Sequence, residues 1–126
     1  MKQIIIGEYT LALLQVQVVL REETGGEFYT SPVNGACPRI KIGAEYELWP
    51  DVVGVLTHEV MELFFAIRGG RYAPSNGLVN GSDRYLFVCD HNLFSEACGA
   101  TGKFLAQCLP DVSRAWEKWP TRKGAK

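Results

Sequence analysis

VVGVLTHEVMELFFAI, Val52 to Ile67, is the stretch whose reading decides the fold. Placed at 100° intervals, its apolar side chains cover most of a helical circumference, which marks a helix buried on most sides. Three ionisable residues, His58, Glu59 and Glu62, interrupt that surface. The helix is expected to run from Asp51 to Arg68. Pro50 and Asp51 suit its start, Gly69-Gly70 its end, and Arg68 places a cation where the helix dipole favours one.

Upstream, Ile40 to Leu48 alternates more cleanly than any other segment: Ile40, Ile42, Ala44, Tyr46 and Leu48 against Lys41, Gly43, Glu45 and Glu47. A strand with one buried face is the expectation. Leu11 to Leu20 gives a second strand, with Leu14, Val16, Val18 and Leu20 facing away from Gln15 and Gln17, although a short helix over Glu8 to Leu14 also fits. Thr24-Gly25-Gly26 reads as a turn, and Glu27 to Thr30 as a short returning strand.

Downstream, Gly69 to Asp83 is glycine-rich and predicts a long loop or small hairpin. Arg84 to Cys89 predicts a short strand that delivers Asp90 and His91 to its end. Asn92 is a candidate cap for a helix carrying Leu93, Phe94, Ala97, Cys98, Thr101, Leu105 and Cys108 on one stripe. Pro110-Asp111 is expected to break that helix, and Val112 to Trp119 to form a closing one. The fold class implied is α+β: a small, mostly antiparallel sheet of three to four strands on a central buried helix and a C-terminal helix pair. One domain over residues 1–120 and a flexible tail over 121–126 are expected.

With 126 residues the chain builds one core, and 13 Lys and Arg against 14 Asp and Glu give a net charge of -1. Such a balance argues against a nucleic-acid or anionic-membrane partner. Apolar runs are too short to cross a bilayer and no export signal is evident, so a cytoplasmic protein is expected. In that compartment Cys37, Cys89, Cys98 and Cys108 stay reduced, and their spacings do not form the paired knuckles of structural zinc sites.

His58 and Glu62 are one helical turn apart, so their side chains can close on one metal ion. Glu59 falls on the apolar arc, where a carboxylate needs a compensating partner. The string His58-Glu59-Val60-Met61-Glu62 resembles the H-E-x-x-H signature of the zincin-like metallopeptidase superfamily, with Glu62 in place of the second His. The preceding strand, Ile40 to Leu48, also resembles the strand whose edge holds extended peptide in that family. The resemblance covers about residues 40–96 and implies a small zinc metallopeptidase fed by a peptide or protein substrate. It implies His58, Glu62 and His91 as metal ligands and Glu59 as the catalytic base. Asp90 or Glu96 could ligate in place of His91, and Tyr72 or Tyr85 could steady an oxyanion. Iron also suits two His and one carboxylate.

Two readings without a metal compete. One is an inhibitor or adaptor domain acting through the edge of Ile40 to Leu48 and an exposed Trp116 and Trp119 patch. The other is cysteine catalysis by Cys89 or Cys98 with His91.

Overall fold

A computed structural model describes residues 2–30, 37–72 and 86–120. Four strands, β1 (Gln3–Leu11), β2 (Leu14–Arg21), β3 (Gly26–Tyr29) and β4 (Arg39–Gly43), form one sheet in the order β1-β2-β4-β3. Helix α1 (Trp49–Arg68) follows, then a two-stranded ladder of β5 (Arg71–Tyr72) and β6 (Leu86–Phe87), and helix α2 (His91–Glu117). The α+β class and the buried helix over a small sheet are as the sequence implies.

The β1–β2 and β3–β4 pairings are antiparallel, whereas β4 inserts parallel to β2 and so separates β2 from β3. Strand β4 is therefore interior, paired on both sides. This corrects the expectation that Ile40 to Leu48 offers an edge: the hydrogen-bonded strand stops at Gly43, and the sheet edge on that side is β3.

Period-2 alternation places Val16, Val18 and Leu20 of β2 beside Ile40 and Ile42 of β4, all with 0% exposure, on the face that meets the helices. β1 occupies residues that the short-helix reading of Glu8 to Leu14 would have claimed. Its register slips between Ile5 and Gly7, where a bulge moves the following side chains to the other face. Only after that slip does Tyr9 reach the core side, opposite Val16.

Helix α1 starts two residues earlier than expected, with Pro50 in its first turn, where a missing N–H costs nothing. It ends on Gly69 at φ 83°, a left-handed conformation that glycine adopts without strain, and the Gly69 N–H donates to the Phe65 carbonyl. Val52, Leu56, Val60 and Leu63 are fully buried at helical spacing.

Helix α2 differs from the sequence expectation in two respects. Its cap is Asp90, whose carboxylate accepts from the Leu93 N–H at 2.8 Å, rather than Asn92. It also continues through Pro110, joining the two predicted C-terminal helices into one. Pro110 removes one intrahelical donor, and packing on both sides offsets that loss: Cys108 and Val112 are both fully buried.

Helices α1 and α2 run antiparallel. Arg68 Nη2 meets Glu96 Oε2 at 2.8 Å at one end, and the Trp49 and Trp116 rings lie 5.4 Å apart at the other. Trp116 and Trp119 are 6% and 1% exposed, so they close the core instead of forming a surface patch. With β4 interior as well, both surfaces invoked for an adaptor role are absent among the described residues.

Tyr9 fixes β1 to α2. Its hydroxyl donates to Asp111 Oδ2 at 2.7 Å and its ring meets Phe104 edge-on at 6.0 Å. Burial, then the bond to Asp111, raises the Tyr9 pKa. Phe104 itself is fully buried, and Phe104→Ala is expected to cost about 3–5 kcal/mol. Urea denaturation reads this as a lower midpoint with an unchanged slope.

None of the helices among the described residues is long and apolar enough to cross a membrane. The expected tail over 121–126 and most of the Gly69 to Asp83 loop lie outside the described residues.

Candidate functional site

His58, Glu59 and Glu62 cluster in the middle of α1, where Glu59 packs against Gly26 of β3. Helical spacing alone stacks His58 over Glu62, and His58 Nε2 lies 2.9 Å from Glu62 Oε2. Glu59 Oε2 is 3.9 Å from the same ring nitrogen. The three side chains differ sharply in access to solvent: His58 is 67% exposed, while Glu62 is 15% and Glu59 9% exposed. An open imidazole thus stands above two sheltered carboxylates.

Gly26, the first residue of β3, makes room for Glu59. A Cβ at Gly26 would sit 2.9 Å from Glu59 Cγ and 3.0 Å from Val55 Cγ1. The backbone of the edge strand therefore lies directly against the buried carboxylate stem, an approach open only to glycine. From the sequence, Thr24-Gly25-Gly26 reads as turn chemistry; only the structure shows that Gly26 also seats Glu59. Gly26→Ala is expected to displace the Glu59 side chain and destabilise the fold by about 1–3 kcal/mol. Chemical denaturation gives the stability, and the Glu59 carboxyl carbon resonance in NMR spectra reports the displacement.

The remaining predicted site residues are not brought to this group. His91 is the first residue of α2, exposed, and five positions before Glu96. Because Glu96 pairs with Arg68, ten positions beyond His58, the antiparallel helices separate His58 from His91 by about 20 Å along their axes. Asp90 caps α2, and Glu96 is committed to Arg68, so neither substitutes for His91 at the pair. Among the described residues no group of three or more His, Cys, Asp or Glu is placed to hold a metal ion. The Tyr85 residue and the Tyr72 side chain lie outside the described residues.

The arrangement fits two metal donors. A nitrogen and an oxygen each about 2.0–2.1 Å from a tetrahedral zinc stand about 3.3 Å apart. The observed 2.9 Å between His58 and Glu62 is within a small side-chain adjustment of that span.

Cys98, one of the two cysteines that the sequence suggests as a partner of His91, lies seven positions beyond it on the same helix, about 10 Å along the axis. Cys108 is in the core, and burial pushes its thiol up to about 12. Cys89 and Cys98 are exposed. Cys89 follows the end of β6 and His91 already belongs to α2, so the two do not share a strand face.

No family model, curated protein or solved structure matches this chain.

Proposed function

We propose that the chain is a metal-dependent hydrolase of extended peptide, working where α1 passes the β3 edge, with His58 and Glu62 as zinc donors and Glu59 as general base. The observation that carries this reading is the placement of Glu59: a carboxylate buried against Gly26 of an edge strand, directly beneath the exposed imidazole of a His58–Glu62 pair.

Each part of the geometry supports one chemical role. In this reading an extended peptide lies along β3, which stands last in the four-stranded order among the described residues. Zinc held by His58 and Glu62 would polarise the scissile carbonyl and lower the pKa of a water to about 7. Glu59 then accepts a proton from the attacking water and returns it to the leaving amine, while the wall formed by Val55 and Gly26 keeps its carboxylate in place. Two protein donors hold zinc less firmly than the usual three, so exchangeable metal is the expected state.

Peptide cleavage tests the proposal. Incubated with a mixture of unstructured peptides, the zinc-supplemented protein is expected to produce new amino termini by mass spectrometry. Chelator should stop the reaction and added zinc restore it. Peptides left intact with zinc present would overturn it.

A further inference from the structure

A cleft of about 390 Å³ opens where the β1–β2 turn meets the two helices, within the size range of small-ligand sites, about 300–1,000 Å³. Thr10 and Ala12 line it from the hairpin, Phe64 and Arg68 from α1, and Gly99, Ala100 and Lys103 from α2. None of these belongs to the His58–Glu62 group, so the hydrolase reading leaves the cleft without a role.

The polar side chains of the lining are committed to neighbours, with one exception. Gln107 clamps β1 to α2: its Oε1 accepts from the Thr10 N–H at 3.0 Å, and its Nε2 donates to the Thr10 carbonyl at 2.9 Å and to the Lys103 carbonyl at 3.1 Å. The Thr10 hydroxyl donates to Gln15 at 3.3 Å. Glu96, the carboxylate of the lining, is held by Arg68, whose guanidinium lies over the Phe64 ring. The Lys103 ammonium has no hydrogen bond or ion pair among the described residues. Carboxylates close by in the chain are turned elsewhere: Glu8 stands with Gln17 on the sheet face away from the helices, and Asp111 is bound by Tyr9 and Arg114.

Two backbone positions at the cleft work against stability without a packing reason. Ala12 adopts φ 54°, the left-handed region that glycine tolerates and a Cβ disfavours. Gly99 sits inside α2, where glycine weakens a helix, and a Cβ there would meet nothing within 4 Å. Local departures of this kind collect at binding sites. Here alanine adds apolar surface to the cleft and glycine leaves space in it.

We infer that the cleft binds a small amphipathic carboxylate, its charge at Lys103 and its apolar body between Ala12, Phe64 and the open stretch of α2 at Gly99. A monoanion is the class that fits, because the one uncommitted polar group is a single ammonium, a compact point charge, and what surrounds it is hydrocarbon.

Heteronuclear NMR titration of the full chain with octanoate, octylamine and acetate tests this; neither zinc nor peptide takes part, so the site and the hydrolase reading stand or fall separately. Octanoate is expected to shift the Thr10, Ala12, Gly99 and Lys103 amides together and saturably, at least about fivefold tighter than octylamine. Acetate, with the charge but no apolar body, should not saturate over the same range. Lys103→Gln should remove the preference for octanoate over octylamine. Gly99→Leu should fill the cleft and abolish binding while the melting temperature holds or rises, since leucine favours a helix over glycine. Absence of saturable octanoate shifts, shifts confined to other residues, equal affinity for octanoate and octylamine, or octanoate binding unchanged in Gly99→Leu would overturn the inference.

Discussion

Gly43→Ala is expected to leave the chain without a stable native state. Gly43 ends β4 at the point where the turn after β2 crosses over it. A Cβ there would overlap the Glu23 carbonyl oxygen and lie 2.6 Å from both Glu23 C and Thr24 Cα. These are backbone atoms, so no rotamer change relieves the overlap. The crossing is also held by hydrogen bonds, from the Gly43 N–H to the Gly25 carbonyl at 2.8 Å and from the Ala44 N–H to the Arg21 carbonyl at 2.8 Å. Accommodating one methyl group means opening that turn or unpairing β4 from β2. Overpacking costs about 1–3 kcal/mol where side chains can shift, and more where they cannot. Against a total of about 5–15 kcal/mol for an ordinary domain, the loss is large. Thermal denaturation followed by circular dichroism is the measurement, and a melting temperature within a few degrees of the parent would contradict the described crossing.

The second large effect concerns chemistry rather than folding. Glu59→Gln keeps the shape of the side chain and removes its ability to take a proton. Peptide cleavage is expected to fall by about 10²–10⁴-fold, the usual contribution of a positioned general base. Stability should change far less than activity, because the amide fills the same space against Gly26 and Val55. Initial rates on a single cleaved peptide, set beside the denaturation midpoint, separate the two outcomes. Full activity in the variant would remove Glu59 from the mechanism.

Much of the fold is legible in the residues themselves. The apolar circumference of Val52 to Ile67, with Pro50 before it and Gly69 after it, specifies α1 to within two residues of its observed start. The alternation of Val16, Val18 and Leu20 and that of Ile40 and Ile42 specify two inner strands. β1 is obscured by its bulge, since the slip between Ile5 and Gly7 breaks the period that would have marked a strand. Strand order is not a local property: the insertion of β4 between β2 and β3 depends on pairing across the sheet, so the sequence could not show which strand forms the edge. The continuity of α2 through Pro110 was hidden for a related reason, because burial of Cys108 and Val112 outweighs the local helix-breaking signal.

The site divides in the same way. His58 and Glu62 come together because both lie on one helix, where spacing sets the distance. His91 belongs to another helix, and its position follows from the antiparallel packing fixed by Arg68–Glu96 and Trp49–Trp116. The role of Gly26 was unreadable because the contact joins a turn residue to a helix 33 positions later.

Zinc titration against a chromophoric chelator, comparing the parent chain with His58→Ala, Glu62→Ala and His91→Ala, tests whether His58 and Glu62 hold a metal ion. One zinc per chain is expected, with affinity at least about tenfold weaker in His58→Ala and Glu62→Ala and unchanged in His91→Ala. Absence of stoichiometric binding in the parent, or undiminished affinity in Glu62→Ala, would contradict this assignment.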